Sequence, residues 1–159
     1  TPTPLAFEES FPNLVFDRRV KISEEGWTFN GNWETRKKED KTIQDKVSAN
    51  AGDEAIFEFE GTGVSIAGNW YKNCGKADIY VDGQLKRTID CYFDYSNQHP
   101  SNVNLYLTTN LQAGKHTVRV VVKGERRTES ERANIYLSEA VVYKTENKIN
   151  KDYKFSFQK

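Results

Sequence analysis

The sequence has 159 residues, 36% hydrophobic and 29% charged, with 3 Trp, 8 Tyr and 9 Phe. That is enough chain for one domain with a core, and too aromatic for a disordered one. Its 23 basic and 23 acidic residues cancel, so it offers neither the basic surface that nucleic acid requires nor a polybasic patch for an anionic membrane, and no apolar run is long enough to cross a bilayer as a helix.

In chain order, Thr1-Pro2-Thr3-Pro4 has the composition of a linker remnant. With no Met anywhere, the chain is expected to be processed or cut from something larger. Residues 5–159 are expected to form a single domain. Arg18–Ile22, Trp27–Trp33 and Lys41–Val47 are weak strand candidates. Seven stretches then alternate clearly with period two: Glu54–Glu60, Thr62–Gly68, Lys76–Val81, Leu85–Phe93, Val103–Thr109, His116–Lys123 and Ala133–Tyr143. Tyr153–Phe157 is a final weak candidate. No segment carries a helical stripe. Many short strands punctuated by Gly, Asn and Asp predict an all-β antiparallel sandwich or barrel.

From Glu54 onward the connections alternate short and long. Residues 60–63, 82–84 and 110–115 are tight, whereas 69–75, 94–102 and 124–132 are long. Strands running up and down place alternate connections at opposite ends, so the long ones are expected at one pole. Glu34–Asp40 is expected there too if Lys41–Val47 is a strand. Rigid scaffolds carry function on such loops.

Those loops and the strand ends beside them contain Trp33, Trp70, Tyr71, Asn73, Tyr92, Asp94, Tyr95, Asn97, Gln98, Arg126 and Arg127. Rings beside amides, carboxylates and guanidinium groups suit a sugar, whose C–H face stacks on an aromatic ring while its hydroxyls seek donors and acceptors. Arg126 and Arg127 add forks able to hold a uronic-acid carboxylate. The competing reading makes Trp70 or Tyr71 a cap on the core and the arginines part of a solvated loop. Adjacent strand residues point to opposite faces, so at most one of the two rings caps that core directly.

Asp82-Gly83 is a two-residue hairpin signal. Counting outward from Val81 and Gln84 puts Cys74 opposite Cys91 but sets Leu85 and Ile89 on the wrong face. A three-residue turn repairs the faces and puts Cys91 opposite Gly75, and a bulge at Gly75 would reconcile the two. A Cys74–Cys91 disulfide is expected, with neighbouring free thiols as the alternative.

Nothing in the sequence announces catalysis. His99 and His116 are the two histidines, and no nucleophile elbow, zinc-protease motif or phosphate-binding loop is present. A structural calcium is a further expectation, with Glu8, Glu9, Asp17, Asp53 and Glu139 as possible oxygen ligands. No other cofactor is expected.

The stretch from Glu58 to Tyr143 resembles the galactose-binding-like β-sandwich modules appended to polysaccharide-degrading enzymes. The resemblance rests on Phe59–Gly68 (FEGTGVSIAG), Gly75–Leu85 (GKADIYVDGQL), Thr88–Tyr92, Leu111–Gly124, and the upstream Gly26-Trp27 and Gly31-x-Trp33. It implies a jelly-roll of two antiparallel sheets that binds sugars through apical loops and sits beside a catalytic domain. The implied function is non-catalytic and extracellular: holding an attached enzyme near plant cell-wall polysaccharide, xylan or a pectic glycan. Nucleic acid and membrane are not expected partners. A sandwich that only docks on its neighbouring domain is the alternative.

Overall fold

The computed structural model describes residues 13–95, 98 and 100–146. The linker remnant, Glu8, Glu9, Asn97, His99 and the strand expected at 153–157 lie outside the described residues. Among the described residues the strands are β1 (Asn13–Lys21), β2 (Trp27–Asn30), β3 (Glu34–Lys37), β4 (Ile43–Ser48), β5 (Glu54–Glu60), β6 (Gly63–Gly68), β7 (Lys76–Val81), β8 (Gln84–Asp90), β9 (Val103–Thr108), β10 (Lys115–Val122) and β11 (Ile135–Glu146). They form two sheets. One has the order β3-β4-β11-β6-β9, with β1 also pairing β11, and the other runs β2-β5-β10-β7-β8. All the pairings between strands are antiparallel.

Period two decides which side chains go inward. Ala55, Phe57 and Phe59 of β5, Ala77, Ile79 and Val81 of β7, and Val118, Val120 and Val122 of β10 are buried from one sheet. Val64 and Ile66 of β6 and Leu137, Ala140 and Val142 of β11 meet them from the other. The step from Leu137 to Ala140 breaks the alternation because β11 bulges there, where its register with β6 shifts between Leu137 and Glu139.

Two weak strands differ from expectation. β1 runs from Asn13 to Lys21, well upstream of the expected start, because β11 is long enough to pair with it from Lys21↔Glu139 to Asn13↔Glu146. The candidate at 27–33 ends at Asn30, and the chain turns at Gly31 with φ 111°.

The β7–β8 hairpin settles the cysteine geometry. Asp82 and Gly83 both take positive φ, 51° and 84°, as a type I′ turn requires. Val81 pairs Gln84 and Tyr80 pairs Leu85, then the register slips so that Ile79 faces Arg87. Lys86 is thus the extra residue, which restores Ile89 to the core side opposite Ala77. The bulge lies at Lys86 and not at Gly75. As a result Cys91 meets Gly75, with the Cys91 amide donating to the Gly75 carbonyl at 3.0 Å. Both cysteines are buried free thiols, so the expected disulfide is corrected to the alternative. The Cys74 thiol turns instead toward the carbonyl oxygens of Asn69 and of the Asn73 side chain, each 3.8 Å away.

Candidate functional site

The long connections do meet at one pole, and hydrogen bonds lace them together. Tyr71 forms a parallel bridge with Tyr92, and Cys74 another with Asn134. The Trp70 amide donates to Pro100 at 3.0 Å, Gly75 to Asn134 at 2.9 Å, and Glu131 to Lys72 at 3.0 Å. Ser130, 2% exposed, places its hydroxyl 2.7–3.0 Å from the carbonyls of Lys72, Cys74 and Arg132. Gly75 has no room for a side chain, since a Cβ there would lie 2.5 Å from both the Ala133 Cα and the Glu125 carbonyl. Residues 34–40, expected as a connection at this pole, are instead mostly strand β3, which pairs Glu34 with Val47 and Lys37 with Ile43. Its side chains approach the pole: Arg36 lines a cleft with Asn69 and Asn73, and Lys38 lines a cavity of about 490 Å³ with Asn69 and Asn102.

Trp70 and Tyr71 are both half-buried and both pack against the core, where strand alternation predicts at most one; they line different clefts. Trp70 tilts against Phe93 with ring centroids 5.8 Å apart. With Ile89, Leu105 and Tyr92 it lines a cleft of about 470 Å³ whose polar edge is Arg87, Thr88 and Asp90. Tyr71 lines a second cleft of about 230 Å³ with Arg36, Asn69, Asn73 and Tyr136. The expected single platform is therefore two clefts, divided by the Tyr71–Tyr92 bridge.

Tyr92 is flanked by charge. The Arg127 guanidinium lies 5.1 Å from its ring centroid and pairs with Asp90 at 3.3 Å. Burial first, then the carboxylates of Asp94 and Glu129, raise the Tyr92 hydroxyl above its ordinary pKa, with Arg127 opposing. Arg126 donates to the Ser130 carbonyl inside its own loop. Tyr95 is 66% exposed and pairs with Gln98, whose amide donates to the Tyr95 carbonyl at 2.9 Å.

Trp33 does not join these residues. Its indole N–H lies 3.1 Å from the carbonyls of Asn30 and Glu54, and its ring packs edge-on against Phe29 at 5.2 Å. It anchors the β2–β3 connection to the start of β5. Asn73 has a structural duty as well: its amide and that of Asn134 both donate to the Tyr136 hydroxyl, at 2.9 and 3.0 Å.

The strongest electrostatic feature of the pole is Asp45. It is 0% exposed and holds Arg36 through two hydrogen bonds, Nε to Oδ1 at 2.7 Å and Nη2 to Oδ2 at 2.6 Å. Asn69 donates to Oδ2 at 3.1 Å. The guanidinium stacks 4.6 Å from the Tyr136 ring centroid, and its bond to Asp45 raises its pKa above the ordinary arginine value. A carboxylate buried among such partners is tolerable only because they compensate it. Sequence reasoning missed Asp45 and Tyr136, although a signal was present: strict alternation along Lys41–Val47 groups Asp45 with Ile43 and Val47, where an acid needs a partner, and in the structure a bulge between Ile43 and Asp45 interrupts that alternation.

The described calcium candidates are dispersed. Asp17 pairs with Arg18 and Lys144, Glu139 with Arg19, and Asp53 accepts from Ser48 and the Asn32 amide. Among the described residues no three His, Cys, Asp or Glu side chains gather as a metal site.

At the opposite pole, His116 Nδ1 lies 2.6 Å from Asp82 and Nε2 lies 2.5 Å from the Gln112 carbonyl. Both partners accept only, so the arrangement favours the doubly protonated imidazole and raises His116 above its ordinary pKa. The structural role expected for His116 is the one it has.

Among solved structures, the chain superimposes on a family 35 carbohydrate-binding module from an environmental isolate with TM-score 0.54 and 12% identity, covering 80% of this chain and 92% of that one. The chain has the galactose-binding-like β-sandwich fold of carbohydrate-binding modules. The same module fold matches a two-domain esterase active on acetylated mannans, with TM-score 0.61, 17% identity, and coverage of 83% of this chain and 38% of that chain. It also matches a Paenibacillus xanthan lyase, with TM-score 0.58, 11% identity, and coverage of 80% and 13%. In sequence, the chain is 32% identical over 117 residues to an A type blood alpha-D-galactosamine galactosaminidase of Flavonifractor plautii; this takes in 73% of the chain but only 10% of that protein. No family model matches.

Proposed function

We propose that this chain is a non-catalytic carbohydrate-binding module and that the loop pole is its binding surface. The observation that carries this reading is the Tyr71 cleft. A half-buried phenol ring, two amide side chains, a guanidinium and a second phenol surround about 230 Å³, room for a single sugar ring. The Trp70–Tyr92–Phe93 cleft across the bridge is the proposed neighbouring subsite, with Arg127 and Asp94 beside Tyr92. Two carboxylates at the pole are engaged as ion-pair partners, Asp45 with Arg36 and Asp90 with Arg127, which supports binding over acid–base chemistry for these two.

In this reading the module holds an attached enzyme close to polysaccharide outside the cell and needs no bound cofactor. The sequence resemblance supports a plant cell-wall ligand, xylan or a pectic glycan. The Flavonifractor relative favours a second reading, a glycan with galactose-type residues. Affinity for a single site is expected to be weak, because few contacts must offset the ordering of a flexible chain. Affinity gel electrophoresis against a panel of both ligand classes tests the proposal. Retardation lost in Tyr71→Ala supports it. A stable protein retarded by no glycan favours the docking sandwich instead.

A further inference from the structure

We propose that the Tyr71 cleft selects neutral sugars and disfavours carboxylate-bearing ones, with the Arg36–Asp45 pair as the determinant. The inference rests on the carbohydrate-binding reading and narrows it. An exposed arginine at a sugar site ordinarily invites a uronate, because its fork matches a carboxylate. Here one of the two bidentate edges is already filled. Nε and Nη2 of Arg36 are bound by the two oxygens of Asp45, a carboxylate with no exposure to solvent. The remaining Nη1 and Nη2 N–H groups can donate to hydroxyl oxygens, whereas a second carboxylate on them shares the one positive charge with Asp45.

Charges around the cleft cancel. Arg36 is balanced by Asp45 beneath it. Farther out, Lys72 lies 5.8 Å from the Tyr71 ring, and Glu34 acts on Arg36 with the opposite sign. The other lining groups, Asn69, Asn73, Tyr71 and Tyr136, are uncharged amides and phenols. A uronate seated on Arg36 would share one guanidinium with the buried Asp45, so like-charge repulsion through a partly desolvated site works against it. A neutral pyranose meets no such term. The arginines expected to clamp a carboxylate elsewhere at the pole are each engaged through one nitrogen, Arg127 with Asp90 at 3.3 Å and Arg126 with the Ser130 carbonyl.

The test uses matched oligosaccharides of equal length, galactose against galacturonic acid and xylose with and without a glucuronic acid branch. Binding to the intact protein is followed by calorimetry and by amide shifts of Arg36, Asn73 and Tyr136. The neutral member of at least one pair is expected to bind about tenfold or more tightly than its acidic counterpart, with an affinity indifferent to salt. Asp45→Asn, which uncovers the guanidinium, is expected to erase or reverse the preference. If that variant does not fold, the salt series on the unmodified protein still decides, since an arginine-held carboxylate weakens as salt rises. Acidic sugars that bind as tightly as neutral ones through the same amides overturn this inference and leave the carbohydrate reading intact. Binding of neither class overturns both.

Discussion

Ser130→Ala is the substitution that most directly probes how the loop pole is held together. The Ser130 hydroxyl has one proton and three carbonyls within reach, those of Lys72 at 3.0 Å, Cys74 at 2.7 Å and Arg132 at 2.7 Å. Alanine keeps the backbone bonds nearby, including Ser130 N–H to Arg127 and Glu131 N–H to Lys72. It removes a side-chain donor that joins residues 69–75 to residues 123–134. A buried acceptor left unpaired costs about 1–3 kcal/mol. In a domain of this size each kcal/mol moves the melting midpoint by roughly 2–4 °C, so a mid-range loss lowers it by about 4–8 °C. Thermal unfolding followed by tryptophan fluorescence reads the shift. Native-state hydrogen exchange shows its place: the amides of Gly75, Glu131 and Asn134 lose protection, while those of β5 and β10 change only with the global stability. A midpoint within about 1 °C of the unmodified protein, with unchanged exchange at those amides, would refute the claim that this hydroxyl clasps the loops.

The opposite pole gives a pH signature. His116 is raised above its ordinary pKa of 6.5, chiefly by the Gln112 carbonyl and further by Asp82, against burial. A raised folded pKa means its contribution is complete below the unfolded value and fades as pH rises through the folded one. Thermal stability should therefore fall from mildly acidic to mildly alkaline pH, and His116→Gln should flatten that slope; an equally steep slope in the variant would remove His116 as the cause. The thiols give a chemical signature. Burial pushes Cys74 up to about 12, and burial, then Cys74 and Asp90, raise Cys91. Neither thiol should react with an aromatic disulfide reagent in the folded protein, and both should react after unfolding without reductant. Failure of any thiol to appear on unfolding would mean that the pair is bonded after all.

Much of the scaffold was readable because period two is a local signal. β5 and β7 have the boundaries the alternation predicts, and the pole follows from the order of short and long connections. What sequence left open depends on contacts between distant segments. The turn at Asp82-Gly83 fixes only the first pair of the hairpin; the slip at Lys86, which separates the register of Cys91 from that of Cys74, follows from burying Ile89 against the core. Trp33 looked like a ligand for the same reason, since composition shows a ring near a loop but not that its N–H reaches Glu54 across 21 residues. The division of Trp70 and Tyr71 between two clefts was legible in part. Strand geometry sends neighbours to opposite faces, whereas here both rings pack against the core, and the partners of each, Phe93 for one and Arg36 and Tyr136 for the other, come from elsewhere in the chain.

The most direct measurement is a titration of isotope-labelled protein with the glycan that retards it, read as amide and indole shifts. Perturbations gathered on residues 69–75, on 91–95 and on Arg36 and Tyr136 are the predicted result. Shifts confined to the outer face of the β2-β5-β10-β7-β8 sheet, with the loop pole silent, would contradict it.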